Sequence, residues 1–215
     1  MEKILFDQIP DLFASAGALF AEKKEELCEM DAKLGDGDLG LTMSKGFGEL
    51  PSLLRDQEAD AAGDIGKLLM KAGMKMSSLI PSTMGFLMST GVMEGGKAVK
   101  GKAELDGAAL AAFLTGFAAG VQKRGKCQAG QRTIYDAILP AADAAAATVR
   151  ENPAAGVSEV IAAALDAAQA GVEATKDMVP VFGKAAVHAA ACAGVPDQGA
   201  VAGSYLILGL ANYLK

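Results

Sequence analysis

Apolar residues recur at helical spacing along most of the chain, and this periodicity restricts the available folds more than any single motif does. In the first segment Leu12, Leu19, Phe20, Leu27 and Met30 share one stripe, which predicts a helix from about Pro10 to Ala32 with Pro10 in its first turn. Read onward with Gly, Pro and Asx residues as punctuation, the sequence predicts helices from about Gly40 to Arg55, Asp64 to Pro81 and Ser82 onward. Further helices follow from Asp106 to Lys123, Thr133 to Glu151 with a kink at Pro140, Val157 to Met178, and from about Gly199. This gives roughly eight helices and no convincing strand, with Gly95, Gly96 and Gly101 read as a mobile connection. Alanine dominates the second half, Trp is absent and aromatic residues make up only 5%, which favours closely packed helices over a β-sandwich. Such helices, joined by short connections, should run antiparallel as a bundle or closed barrel. Alternate connections then share an end, so the glycine-bearing segments 35–40, 81–85, 124–131 and 183–199 are expected at one rim. The expectation is an all-α chain forming one domain over residues 1–215.

The net charge of −6, with no basic cluster, argues against nonspecific binding to nucleic acid or attachment to an anionic membrane. Cys28, Cys127 and Cys192 are odd in number and far apart, which suggests neither a disulfide framework nor a zinc site and fits a reducing cytoplasm. The start of the chain, M-E-K-I-L-F-D-Q-I-P, lacks the pattern of a signal peptide, so secretion is not expected. The longest uncharged stretches, Met76 to Met93 and Gln198 to Leu214, are too polar for membrane spans and read as buried helices.

Three carboxylates, Asp31, Asp36 and Asp38, fall within eight residues and are interleaved with Gly35, Gly37 and Gly40. Carboxylates this close repel unless a cation opposes them, and magnesium is the expected cation. On a continuous helix Asp31 and Asp36 would lie about 140° apart, so convergence needs a loop, and the glycines permit its tight reversal. The alternative is a solvated acidic turn. Gly35, Gly37 and Gly40 also spell G-x-G-x-x-G, but what precedes is the polar helical run E-K-K-E-E-L-C-E-M-D rather than a hydrophobic strand, and two aspartates would face a pyrophosphate. An EF-hand starting at Asp36 fails as well, because Leu41 and Phe47 stand where Gly and Glu are required.

G-V-M-E-G-G-K-A, from Gly91, reproduces most of a P-loop, but Ala98 replaces the metal-binding hydroxyl and no strand precedes it. His188, the only histidine, lies in an alanine-rich stretch and reads as structural. Met70, Met74, Met76, Met84 and Met88 read as adaptable core filler, with one or two near a rim able to sandwich an adenine ring.

Taken with the aspartate stretch D-A-K-L-G-D-G-D-L-G-L-T-M-S-K-G-F, the segments A-G-M-K-M-S-S, P-S-T-M-G, R-G-K-C-Q-A-G-Q-R-T and G-V-P-D-Q-G-A give the chain a strong likeness to one family. It resembles the nucleotide-binding L subunit of bacterial dihydroxyacetone kinases over nearly its whole length. The resemblance implies an antiparallel eight-helix barrel with a pair of Mg²⁺ ions held by Asp31, Asp36 and Asp38 and with ADP or ATP bound across them at one end. It implies phosphate contacts from Leu39, Gly40, Leu41 and Thr42, and further nucleotide contacts from Ser82, Thr83 and Met84 at another helix start. Gly125 and Ile134 match positions flanking the adenine, Lys184 a basic residue near the phosphates, and Asp197, Gln198 and Gly199 the last nucleotide loop. The chain departs from the family pattern where Leu39 replaces His, Gln131 an acidic residue, Lys184 an Arg and Gln198 a Pro.

The implied reaction is transfer of a phosphoryl group to dihydroxyacetone or a related short ketose held on a separate K subunit, with no general base from this chain. In one version a phosphohistidine-carrying phosphotransferase subunit recharges the bound nucleotide; in the other free ATP exchanges. A homodimer is compatible with the sequence. The competing reading, motivated by Leu39 and Gln131, is a nucleotide-binding regulatory module that docks on another protein without catalysing transfer.

Overall fold

The computed structural model describes residues 1–214 apart from Lys184, His188, Ala190 and Ala191. Its helices are α1 (Ile9–Glu22), α2 (Lys24–Leu34), α3 (Leu39–Arg55), α4 (Glu58–Ala61), α5 (Ile65–Leu79) and α6 (Thr83–Ala98). They continue with α7 (Gly107–Gly125), α8 (Tyr135–Glu151), α9 (Val157–Ala174), α10 (Gly183–Val187) and α11 (Gln198–Tyr213). The all-α expectation holds, with α1 and α2 standing as one broken rod where a single helix was expected. The break falls at Lys23, whose N–H still bonds to Leu19 O at 2.9 Å. A further departure is a short antiparallel ladder of β1 (Ile4–Leu5) on β2 (Glu104–Leu105), which pins the start of the chain to the α6–α7 connection.

The rods form a closed ring: α1 packs on α3, α3 on α5, α5 on α6, α6 on α7, α7 on α8, α8 on α9, α9 on α11, and α11 back on α1. One continuous core fills it, with Phe13, Phe20, Phe47 and Phe117 among its largest fully buried side chains. Phe20 and Phe47 stack at 4.9 Å and so join α1 to α3, while Phe13 meets Phe113 edge-on at 6.2 Å across to α7. Among the described residues no helix is long and apolar enough to cross a membrane.

Gly95 and Gly96 do not form a connection but lie buried inside α6. A Cβ at Gly95 would stand 2.7 Å from the Phe113 ring, and one at Gly96 would stand 2.8 Å from Leu69 Cβ. These glycines bring α6 close to α7 and α5; periodicity could not separate this packing role from a loop signal, because both call for glycine. The P-loop-like lysine is a surface residue here, since Lys97 Nζ lies 3.5 Å from Glu94 and its side chain is largely exposed.

Gly95→Val should destabilise the protein by about 2 kcal/mol, because overpacking against the Phe113 ring outweighs the small gain in helix propensity. Gly48→Ala, at an α3 position where a Cβ would meet nothing within 4 Å, should stabilise it by up to about 1 kcal/mol. Urea unfolding of both variants checks this opposite pair of signs.

Candidate functional site

The aspartate loop is built by backbone bonds to one carboxylate. The α2 helix closes with Gly35 N–H donating to Asp31 O at 2.5 Å, and the chain then turns back so that Gly37 N–H and Asp38 N–H both donate to Asp31 Oδ2, at 2.9 and 3.1 Å. Gly35 makes room for this, since a Cβ there would lie 2.2 Å from Asp31 Oδ1, and Gly37 supplies the left-handed φ of +79°. Asp38 then occupies the N-cap position of α3 without a side-chain cap bond. One carboxylate oxygen from each of Asp31, Asp36 and Asp38 lies within 4.8 Å of the others, with Asp31 buried and the other two exposed. Three carboxylate oxygens fit a hard divalent cation, Mg²⁺ or Ca²⁺, and offer nothing to a soft metal.

These carboxylates open onto a cavity of about 710 Å³, within the range of small-molecule sites. Its wall comes from four separate stretches: Asp31 to Leu39, Pro81 to Leu87, Arg132 to Ile134, and Phe182 to Gly199. These are the connections at one end of the ring, where α3, α6, α8 and α11 begin. Helix starts carry N–H groups outside the helical ladder, so a start that faces the cavity can receive an anion there, although α2, α5, α7 and α9 end on the same connections. Ser82 caps α6 by accepting from Gly85 N–H at 3.0 Å, and its hydroxyl lies 3.3 Å from Thr42 Oγ1, tying α6 to α3. Asp197 caps α11 by accepting from Ala200 N–H at 2.8 Å.

The sequence-derived site residues divide clearly. Asp31, Asp36, Asp38, Leu39, Ser82, Thr83, Met84, Ile134, Asp197, Gln198 and Gly199 all line the cavity. Met84, Ile134 and Gly199 meet there, a Cβ on Gly199 standing 3.2 Å from Ile134 N and 3.3 Å from Met84 Cε. Thr42 touches the wall through Ser82 and through its N–H, which donates to Asp38 O at 2.9 Å. Gly40 faces away: a Cβ there would strike Lys24 O, so its small size serves the packing of α3 on α2. Leu41 points outward at 52% exposure. Gly125 lies behind Leu87, itself a wall residue. Lys184 and His188 fall outside the described residues. Of the methionines, Met76 and Met88 are buried core, Met74 is 65% exposed and Met84 reaches the cavity.

Arg132 was not singled out from sequence, yet it organises this end. Its backbone is left-handed, φ +57°, a conformation costing about 1 kcal/mol for a residue with a Cβ. Its side chain is fully buried, with Nη2 donating to Val195 O at 2.9 Å and Nη1 lying 3.5 Å from Asp197 Oδ1. That second approach has ion-pair distance without hydrogen-bond geometry; among the described residues neither Nη1 nor Nε has a hydrogen-bond partner. Asp136, also buried, shapes the same loop by accepting from Gly130 N–H at 2.6 Å and Thr133 N–H at 2.8 Å. Arg132 therefore staples the α7–α8 loop to the segment before α11. In the sequence it was one of three cations, with Arg124 and Lys126, in a glycine-bearing loop, and nothing local marked it as the buried one.

Burial pushes the Asp197 carboxyl up to about 6, against the opposing pull of Ala200 N–H and the Arg132 guanidinium. Because the folded state holds this proton more tightly than the unfolded chain, the contribution of Asp197 to stability falls as pH rises from the ordinary carboxylate range to about 6 and is lowest above that. Arg132→Met removes the cation facing that carboxylate. It should cost about 3 kcal/mol at pH 8, where Asp197 is ionised, and clearly less at pH 5, where it is protonated; urea unfolding at the two pH values measures the difference.

The sequence profile of the DAK2 domain matches residues 33–212. Among curated proteins the chain is 32% identical to the ADP-binding subunit DhaL of PEP-dependent dihydroxyacetone kinase 2 from Listeria innocua, over 79% of this chain and 76% of that one. It is 28% identical to the ADP-binding subunit DhaL of PEP-dependent dihydroxyacetone kinase from Escherichia coli, over 97% of both chains. Among solved structures, the dihydroxyacetone kinase from C. freundii in complex with AMP-PNP and Mg²⁺ superposes with a TM-score of 0.69 at 26% identity, covering 96% of this chain. The chain spans about a third of the length of that kinase, 34%. The shared fold and the profile match agree: this chain belongs to the DAK2 domain family.

Proposed function

We propose that the chain, acting over residues 1–215 as one nucleotide-binding domain, is the ADP- or ATP-binding subunit of a cytoplasmic dihydroxyacetone kinase. The phosphoryl group passes from the nucleotide to dihydroxyacetone or a related short ketose held on a separate K subunit. The observation that carries this reading is the convergence of three carboxylate oxygens within 4.8 Å at a cavity ringed by helix starts. The ADP-binding and PEP-dependent designations of the two DhaL relatives support a nucleotide that stays bound and is recharged by a phosphohistidine-carrying subunit.

The chemistry asked of this chain is positioning and charge compensation, which is most of what phosphoryl transfer requires. Asp31, Asp36 and Asp38 would hold one or two Mg²⁺ ions, which when bound neutralise charge on phosphate oxygens. The amides that open α3, from Leu39 to Leu41, with the Thr42 hydroxyl, and those that open α6, around Thr83 and Met84, orient the polyphosphate. Met84, Leu87 and Ile134 give the apolar surface for the base, with Gly199 packed beside Met84 and Ile134. No side chain here is assigned as a general base; the acceptor hydroxyl and whatever takes its proton lie with the partner.

Titration of the purified chain with ADP at several Mg²⁺ concentrations should show Mg²⁺-dependent binding, with Asp36→Asn weakening it by about 100-fold or more, since even partners outside the metal's own ligands are worth 10–100-fold. At a ligand excess of about 100 times the dissociation constant the wild type should gain about 2.7 kcal/mol of stability, read as a raised Tm. Mixed with a K subunit and dihydroxyacetone, the wild type should support transfer and Asp36→Asn should not. Full activity of that variant would overturn the proposal, and nucleotide binding without transfer under every partner condition would favour the regulatory module instead.

A further inference from the structure

Gln198 is the first residue of α11 and follows the Asp197 cap, a position where nothing in the helix needs a carboxamide. Its side chain meets the aspartate loop at the cavity wall, with Nε2 3.4 Å from Asp31 Oδ1. Asp31 Oδ2 is occupied by the two loop amides, so this contact falls on the other oxygen of the buried carboxylate. The far end of the amide is the telling part: among the described residues Gln198 Oε1 is buried and has no hydrogen-bond partner. A buried acceptor left without a donor costs about 1–3 kcal/mol, so its retention at a cavity wall points to a donor that arrives with the ligand.

We infer that Gln198 is a positioning residue for the divalent cation, holding Asp31 in place through Nε2 while Oε1 accepts from a water carried by the ion. This rests on the metal–nucleotide reading above and adds a specific role to one residue of it. Magnesium surrenders its waters reluctantly and keeps several when bound by carboxylates, so the donors it brings are O–H groups. A phosphate oxygen is a poor match for Oε1, because two acceptors would then face each other. The amide suits both tasks where a carboxylate would not: one end donates to Asp31 and the other accepts from water.

The first helical position offers a clean test. Proline is tolerated there, because the N–H it lacks has no place in the helical ladder, and Asp197, with ψ 127°, already has the extended backbone that precedes a proline. In the full chain, Gln198→Pro and Gln198→Ala should each raise the Mg²⁺ concentration for half-maximal ADP binding by about tenfold. The affinity for ADP at saturating Mg²⁺ should stay close to that of the wild type, and the Tm without ligand should be preserved. An unchanged Mg²⁺ requirement in both variants would overturn the inference, as would equal weakening at saturating Mg²⁺, which would mark Gln198 as a nucleotide contact or a purely structural residue. If the wild type itself shows no Mg²⁺-dependent ADP binding, the metal–nucleotide reading falls first; if it does and only the variants fail to respond, this inference alone is lost.

Discussion

Asp31 Oδ2 accepts two backbone N–H groups from the residues that follow it, and the remainder of the site hangs on that pair of bonds. They reverse the chain within a few residues of the end of α2 and deliver Asp38 to the start of α3, so that the third carboxylate and the first amides of a helix arrive together. A buried carboxylate is costly unless it is hydrogen-bonded, and here the bonds that offset its burial also define the loop. The loop and its carboxylate share one set of bonds: the loop cannot be reshaped without freeing Asp31, nor Asp31 replaced without loosening the loop.

Elsewhere at this end the same economy appears in a second form. Arg132 adopts an unfavourable backbone conformation and buries its guanidinium, and in return it joins two loops that are far apart in sequence. Asp197 answers that charge while capping α11, and Thr175 Oγ1 accepts from Asp197 N–H at 2.9 Å to fix the cap in turn. The wall residues Ile134, Met84 and Gly199 are thus supported from behind by a polar network rather than by the apolar core alone.

The legible part of the molecule was the part written locally. Helix starts followed from caps such as Asp64, Ser82 and Asp106, each of which accepts from a first-turn amide, and the rim positions followed from counting alternate connections. Gly95 and Gly96 misled because a glycine that admits a neighbouring helix has the same letter as one that breaks its own. The split at Lys23 had no breaker residue to announce it, and the β1–β2 ladder, only two residues on each side, was too short to show alternation. Within the site the aspartate triplet was readable because its spacing is a local property. The burial of Arg132 and Asp136 was not, because it depends on segments about sixty residues away closing over one of them and on a helix start enclosing the other.

The ring order also bears on how the molecule comes into being. Its wall residues run from Asp31 to Gly199, and α11 must pack back on α1 before the last of them takes its place. Closing so long a stretch of chain is entropically slow, and contacts of high sequence separation form late. The aspartate loop can take shape early from bonds within Asp31 to Asp38, whereas the cavity around it waits for the final rod. A nascent chain emerging from the ribosome would therefore carry the carboxylates long before it could enclose a ligand, which makes ring closure the event that turns an acidic turn into a receptor.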